Sequence, residues 1–236
     1  LLKKTDLIVF PELATSGYLF SSKEELAKVS EQAQKGKTAE LFTQLAKEKR
    51  TNFVIGFSEI CNGKFYNSSM LVRPDGEIFV YRKTHLFSEE KLWFEPGDTG
   101  FQVVEIAKGI KVGMMICFDW IFPESAGTLA RKGAQIICHP ANLVLPWCQK
   151  AMVTRSVENR VFTITANRIG EEKNASGSLE FTGQSQVTSI RGEVLIQSGT
   201  DSEEIIVTKI NPFEADDKDI NKYNNLRNDR RDKFYF

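Results

Sequence analysis

Short apolar runs that stop at proline, alternating with amphipathic segments, constrain this sequence more than any other feature. Asp6–Phe10 leads directly into Pro11, and Gln135–Cys138 is stopped by Pro140. Runs of this length with such stops are typical of strands buried inside a sheet. Thr38–Arg50 instead places its apolar residues on one helical face. The alternation predicts a mixed α/β domain.

The same patterns divide the rest of the chain into strands, helices and turns. Turns at Asn62-Gly63 and Pro74-Asp75-Gly76 predict two hairpins. Further strands are predicted at Asn52–Ile60, Tyr66–Arg73, Glu77–Arg82, Phe101–Ile106, Lys111–Ile116, Val161–Ala166, Gln184–Ile190, Glu193–Gln197 and Glu204–Ile210, and further helices at Lys23–Gln34, Pro123–Lys132 and Trp147–Arg160. Thr84–Gly100 is a long loop of the kind that is often functional. No linker or repeat interrupts the pattern, so residues 1–236 are predicted to form one domain.

Composition and charge exclude several classes of partner. The chain has 236 residues, with 31 Lys and Arg against 31 Asp and Glu. This balance provides no field that would attract nucleic acid or an anionic membrane. No apolar run approaches the roughly 20 residues of a membrane helix, and no signal peptide is visible, so we expect a cytoplasmic protein. Leu1–Lys4 resembles the end of a helix, and we expect the sequence to start inside the domain.

The cysteines favour free thiols over disulfides or a metal site. None of the four forms a CxxC pair: they are Cys61, Cys117, Cys138 and Cys148. A domain of this size does not depend on disulfides, which are rare in a reducing compartment. Cys138 is adjacent to His139, but no third ligand stands near them in the sequence, so no metal site is predicted.

Three residues with catalytic potential each follow a predicted strand. Cys117 comes after Val112–Ile116, Glu12 after the first strand, and Lys83 after Arg82. A thiol at a strand-to-helix turn is exposed at a sheet edge beside free backbone N–H groups. Taken singly, the cysteine is better explained as core filling, and the acid and the lysine as solvated surface residues. Their shared position favours one site, because sites in sheet folds gather at strand ends.

The segments around these residues resemble the three signature blocks of the nitrilase (carbon–nitrogen hydrolase) superfamily, in order and in separation. They are Ile8–Leu13, Tyr81–Phe87 and Gly113–Asp119, supported by Phe94–Asp98, Phe122–Glu124, His139–Asn142, Arg155–Arg160 and Ala166–Arg168. The likeness is nearest to the small aliphatic nitrilases and amidases and covers nearly the whole chain. It departs at the front, where the family's first strand and most of its first helix are missing.

The resemblance implies a four-layer αββα sandwich and a catalytic triad. Glu12 would be the general base, Cys117 the nucleophile, and Lys83 the cation that stabilises the oxyanion. Glu90 would match a second glutamate of the family, seven positions after the lysine, which positions the substrate or the catalytic groups. Its neighbour Glu89 is expected to point elsewhere. Hydrolysis through a thioester requires neither a metal nor an organic cofactor.

Residues that contact substrate are harder to select from sequence. The candidates are the backbone N–H of Phe118 and the side chains of Tyr18, Phe87, Trp120, Phe122, Trp147 and Asn142. Each aromatic side chain is individually better explained as packing, and the asparagine equally well as a turn residue. Arg155 and Glu158 lie three positions apart on one predicted helix, where a supporting ion pair and a solvated pair are equally expected.

Three functions remain open. The first is an amidase that acts on a small carboxamide or carbamoyl compound and releases ammonia. The second is a nitrilase, which converts an aliphatic nitrile to acid and ammonia. The third is a catalytically silent binding or scaffold protein, against which the intact triad argues. The motifs do not fix the substrate, because selectivity depends on a few pocket contacts.

A homodimer or a higher even-numbered oligomer is the expected assembly. The family resemblance implies it, and the terminal cluster Phe234-Tyr235-Phe236 is an unusual set of side chains to leave in water. The basic segment Arg227–Lys233 is interleaved with Asp229 and Asp232, which favours a solvated tail or a subunit contact over nucleic-acid binding.

Overall fold

Two β-sheets pack face to face in the computed structural model, which describes residues 5–174 and 177–235. The first sheet contains, in spatial order, β1 (Leu7–Val9), β2 (Asn52–Cys61), β3 (Lys64–Val72) and β4 (Ile78–Arg82). β1 runs parallel to β2, whereas β3 is antiparallel to both β2 and β4. β1 and β4 therefore point in the same direction and end at the same edge of the sheet.

The second sheet has a parallel centre with antiparallel strands at its sides. Its strands are β5 (Val103–Ala107), β6 (Ile110–Met114), β7 (Ile136–Pro140), β8 (Phe162–Ala166), β11 (Gln186–Thr188) and β12 (Val194–Gln197). They lie in the order β12-β11-β8-β7-β6-β5, and β6, β7 and β8 are the parallel strands. The remaining strands, β9 (Ile169–Asn174) and β10 (Gly177–Thr182), form a separate antiparallel hairpin.

Helices cover the outer faces of both sheets. On the first sheet lie α1 (Lys23–Val29) and α2 (Lys37–Lys49), and on the second lie α4 (Pro123–Arg131) and α5 (Cys148–Asn159). The layer order is therefore helices, sheet, sheet, helices, which confirms the predicted αββα sandwich. The short helix α3 (Glu90–Trp93) lies within the predicted loop. None of the helices in the described parts of the chain is long and apolar enough to span a membrane.

The strand β2 shows why the apolar runs are continuous rather than alternating. Its residues Phe53, Ile55 and Phe57 pack in a cluster with the apolar face of α2. Val54, which points the other way, is fully buried in the core between the two sheets. A strand that is covered on both faces must be apolar at consecutive positions. The proline stops and apolar runs therefore predicted most strand positions within a few residues.

Two predicted elements were wrong in extent or in type. The first helix ends at Val29 instead of Gln34, because Glu31 bonds through its backbone to Ser58 and Ile60 alongside β2. The predicted strand Glu204–Ile210 is not a strand. Its β-branched residues fit a strand locally, but no ladder partner pairs with it within residues 5–174 and 177–235.

The β9–β10 hairpin was not predicted at all. Its sequence is rich in Glu, Lys and Gly, which are depleted in strands. Pairing of the two segments and packing of Phe181 into an apolar cluster override this local preference. The hairpin lies beside the residues described next.

Candidate active site

Lys83 lies buried between two carboxylates. It follows β4 directly, and its Nζ donates to Glu12 Oε1 at 2.7 Å and to Glu90 Oε1 at 2.6 Å. The exposed fractions of these residues are only 1% for Lys83, 1% for Glu12 and 4% for Glu90. Burial lowers the pKa of Lys83, but the charges of Glu12 and Glu90 outweigh it and hold that pKa above its ordinary value. The lysine is therefore a fixed ammonium at neutral pH.

The two carboxylate oxygens of Glu12 have different surroundings. Oε1 accepts hydrogen bonds from Lys83 and from Asn67 Nδ2, the latter at 2.7 Å. Oε2 is buried and has no hydrogen-bond partner among the described residues. Burial raises the pKa of Glu12, although Lys83 and Asn67 oppose the rise. The free oxygen Oε2 can therefore accept a proton.

A tight backbone contact fixes the turn that carries Glu12. The Gly56 N–H donates to Pro11 O at 3.2 Å, and Ala14 N–H donates to Gly56 O at 2.9 Å. A Cβ atom on Gly56 would lie 2.5 Å from Glu12 Cα and 2.5 Å from Pro11 O. Only glycine allows β2 to approach the turn this closely.

Cys117 is the first residue of a 3₁₀ helix, Cys117–Ile121, which begins just beyond the end of β6. Its φ of +39° is in the left-handed region, which is unfavourable for a residue with a side chain. The Sγ atom lies 3.8 Å from Asn142 O, and the same asparagine donates from Nδ2 to Glu12 O at 2.9 Å. Burial raises the pKa of the Cys117 thiol, so it rests protonated.

The carboxylate of Asp119 stabilises this strained turn through hydrogen bonds. Its Oδ2 accepts from Ile116 N at 2.9 Å and from Tyr81 OH at 2.7 Å. Its Oδ1 accepts from His85 N at 3.1 Å and lies 2.7 Å from His85 Nδ1. The aspartate is fully buried and links β4, the lysine segment and the cysteine turn.

Two further side chains bind carbonyl oxygens of the cysteine turn. His139 Nε2 lies 2.9 Å from Cys117 O, and its Nδ1 lies 3.1 Å from Thr165 Oγ1. Burial lowers the pKa of His139 to about 4, so the neutral ring donates from Nε2 to the carbonyl. Arg155 donates to Trp120 O at 3.1 Å and pairs with Glu158 at 3.0 Å, where the sequence had left a supporting ion pair and a solvated pair equally expected.

The other sequence candidates have varied surroundings. Tyr18 OH donates to Glu90 Oε1 at 2.6 Å, and the Phe87 N–H donates to Glu90 Oε2 at 3.2 Å. The rings of Phe87 and Phe118 are 5.0 Å apart. Trp120 is buried in the main apolar core, whereas Trp147 is 58% exposed.

Asn67 and Asp119 are two residues at this site to which sequence reasoning gave no role. Asn67 lies on β3 opposite Lys83. Its side chain donates to Glu12, and its backbone carbonyl accepts a hydrogen bond from the backbone N–H of Lys83 at 2.8 Å. A run of three polar residues, Asn67–Ser69, inside a predicted strand was the available signal. Asp119 ends the signature block Gly113–Asp119, but its contacts depend on segments far away in sequence.

Comparison with known proteins agrees with this geometry. The carbon–nitrogen hydrolase family profile matches residues 2–216. A protein named nitrilase from Pyrococcus abyssi (strain GE5 / Orsay) is 44% identical over 230 residues, covering 98% of this chain and 86% of that protein. The chain belongs to the carbon–nitrogen hydrolase family.

Two further relatives extend the comparison of this carbon–nitrogen hydrolase. An (R)-stereoselective amidase from Pseudomonas sp is 36% identical, over 84% of this chain and 70% of that protein. The crystal structure of a carbon–nitrogen hydrolase from Helicobacter pylori G27 superposes with a TM-score of 0.85 at 27% identity, over 98% of this chain and 85% of that one. The family resemblance and the nitrilase-type fold are thereby confirmed.

We expect Gly56→Ala to remove most activity of this hydrolase. The added methyl group must displace the backbone of Glu12, and a shift of about 1 Å in a catalytic group lowers turnover on the order of 10²-fold. Steady-state kinetics of the variant test this. Gly127→Ala is the control, because its backbone is helical and the atom nearest to a Cβ built there is the end of the flexible Arg131 side chain, at 3.2 Å. Equal kinetics of Gly56→Ala and wild type would contradict the role assigned to this contact.

Glu90→Gln should lower kcat on the order of 10²-fold, because it removes a charge that fixes the Lys83 ammonium. The matched control is Glu89→Gln, since Glu89 is exposed and precedes α3. Its kinetics should equal those of wild type. Thermal melts of both variants test whether each remains folded at the assay temperature, because loss of a buried ionic partner also lowers stability. Small and equal effects from the two substitutions would reduce the mechanism to three residues.

Proposed function

We propose that this protein is an amidase that hydrolyses a small carboxamide or carbamoyl compound through a thioester on Cys117. One observation carries the proposal. A buried ammonium, two buried carboxylates and a buried thiol meet at the ends of β1, β4 and β6, and one carboxylate oxygen there has no partner among the described residues.

The reaction begins when Cys117 Sγ attacks the carbonyl carbon and Glu12 Oε2 takes the thiol proton. The oxyanion that forms is stabilised by the Lys83 ammonium and the Phe118 N–H. When the carbon–nitrogen bond breaks, Glu12 returns the proton to the departing nitrogen, and ammonia leaves. A water molecule, deprotonated by Glu12, then attacks the thioester and releases the acid and the thiol.

The hydrogen-bonding capacity of the site favours an amide over a nitrile. Two acceptors belong to this site: Glu12 Oε2, which has no hydrogen-bond partner among the described residues, and the backbone carbonyl of Asn142, which lies 3.8 Å from Cys117 Sγ. A carboxamide nitrogen brings two N–H donors to such acceptors, whereas a nitrile brings none. A buried acceptor that remains unpaired costs about 1–3 kcal/mol, so a nitrile, which leaves Glu12 Oε2 without a donor, is disfavoured in the bound state. A nitrile substrate stays the alternative, since the Pyrococcus abyssi relative is named a nitrilase.

Ammonia release from a panel of small amides, carbamoyl compounds and aliphatic nitriles tests the proposal. We expect turnover of at least one amide or carbamoyl compound, and we expect Cys117→Ala to abolish it without lowering the melting temperature. Turnover of nitriles alone would establish the nitrilase alternative. A wild-type protein that is inactive on the whole panel would support a binding or scaffold role, and retained activity in Cys117→Ala would refute the nucleophile.

Assembly into a homodimer or a higher even-numbered oligomer is part of this proposal. Apolar side chains remain exposed on the single chain, including Val157 at 45%, Phe234 at 65% and Tyr235 at 48%, while Phe236 lies outside the described residues. Exposed apolar surface of this kind is covered in many proteins by a subunit contact.

Sedimentation velocity across micromolar concentrations should therefore give an even-numbered species. Deleting residues 234–236 should shift the distribution toward smaller species if the terminal aromatic residues contact another subunit. A single monomeric species of the wild-type protein at every concentration would contradict the expected assembly.

A further inference from the structure

One face of the β9–β10 hairpin presents the carboxylate of Glu172 to the segment that follows Glu12. In this hairpin Glu172 pairs with Leu179, and Gly170 pairs with Phe181, so these four residues share one face. Phe181 and Leu179 belong to an apolar cluster that also contains Tyr18. The opposite face is polar, and its Glu171, Lys173 and Glu180 are exposed.

Glu172 binds the backbone of the segment that follows the Glu12 turn. Its Oε1 accepts from Tyr18 N at 3.0 Å and from Leu19 N at 3.1 Å. Gly17, with φ of +82°, precedes these donors, and a Cβ on it would lie 2.9 Å from Glu172 Oε1. Charge-assisted bonds of this kind are about twice as strong as neutral ones.

The carboxylate of Glu172 is itself fixed. It forms an ion pair with Arg168, whose guanidinium group lies 4.6 Å from the centre of the Phe181 ring. The Phe181 ring in turn meets the Tyr18 ring edge-on at 6.2 Å. The hairpin thus holds Tyr18 both by its backbone and by its ring.

Tyr18 connects this anchor to the catalytic ammonium. Its hydroxyl donates to Glu90 Oε1 at 2.6 Å, and the same oxygen accepts from Lys83 Nζ. A displacement of the Tyr18 backbone would therefore change a hydrogen bond on the oxygen that fixes Lys83. Because the oxyanion forms only during the reaction, misplacement of the lysine lowers kcat more than it changes KM.

We propose that Glu172 is a positioning residue for carbon–nitrogen bond hydrolysis, acting through Tyr18 on Glu90 and Lys83. The inference rests on the proposed function in so far as it assigns Lys83 and Glu90 to catalysis. Glu172 touches none of the four catalytic side chains, so its effect must pass through Tyr18.

The kinetic test compares Glu172→Gln with Glu171→Gln, the neighbouring residue on the polar face. On any substrate with Cys117-dependent turnover, Glu172→Gln should lower kcat about tenfold with KM within about twofold of wild type, and Glu171→Gln should change neither. Tyr18→Phe removes the hydroxyl but keeps the ring. If Glu172 acts through that hydroxyl, the double variant should lose little beyond Tyr18→Phe alone. Fully multiplicative losses would overturn the proposal.

A second measurement needs no substrate and separates this inference from the proposed function. The rate at which iodoacetamide alkylates Cys117 in the full chain is followed by mass spectrometry of the peptide that carries it. Glu172→Gln and Tyr18→Phe should each slow alkylation at least about threefold, because both loosen the cation that favours the thiolate. Wild-type rates in Glu172→Gln would overturn the positioning role, whereas absence of ammonia release by wild type would refute only the amidase.

A folding control completes the design. Glu172→Gln should remain folded at the assay temperature, since the hairpin lies outside both sheets, although loss of the Arg168 ion pair lowers its melting temperature. Arg168→Gln is the second variant: it leaves the carboxylate on the Tyr18 and Leu19 amides but removes its cation, so it should slow alkylation in the same direction and by less. No change in Arg168→Gln together with no change in Glu172→Gln would reject the whole connection.

Discussion

The buried ammonium of Lys83 is the interaction on which the rest of the site depends. A charge removed from water is tolerated only where opposite charge and hydrogen bonds replace its hydration. Glu12 and Glu90 supply both at 2.7 and 2.6 Å. Removal of one partner of a buried ion pair typically costs about 3–5 kcal/mol, so this arrangement must form together with the fold. Its three members come from three separate segments, which places the turn after β1, the end of β4 and the start of α3 around one point.

A second consequence of this arrangement is a division of roles between the carboxylates. Both carboxylate oxygens of Glu90 are hydrogen-bonded: Oε1 accepts from Lys83 Nζ and Tyr18 OH, and Oε2 accepts from the Phe87 N–H. Glu90 therefore holds the lysine in place. Glu12 shares one oxygen with the lysine and leaves the other without a partner among the described residues. Burial raises the pKa of Glu12, so the group can take up a proton and return it within one turnover. Two chemically identical side chains thus acquire different tasks from their surroundings alone.

Sequence patterns were sufficient for the parts of the structure that depend on local rules. The strand β2 was predicted from its continuous apolar run, which burial on both faces requires. The end of β1 was predicted from the proline that follows it. The positions of Glu12, Lys83 and Cys117 at strand ends were likewise predicted, and their recognisable blocks gave the family. The β9–β10 hairpin and the contacts of Asn67 and Asp119 were not, because each is fixed by partners distant in sequence. The segment Glu204–Ile210 shows the opposite error: strand-forming residues do not make a strand without a neighbouring strand.

The packing of the two sheets has a consequence for how the molecule loses activity. Glu12 and Lys83 follow strands of the first sheet, whereas Cys117 follows a strand of the second. Cys117 and Glu12, the proposed nucleophile and base, therefore come together only when the apolar layer between the two sheets is packed as in the native state. A partly denatured state that keeps its helices and strands but loosens this layer, as in a molten globule, would separate them. In this enzyme, turnover would report on the docking of the sheets and would disappear while far-ultraviolet circular dichroism still recorded an intact secondary structure.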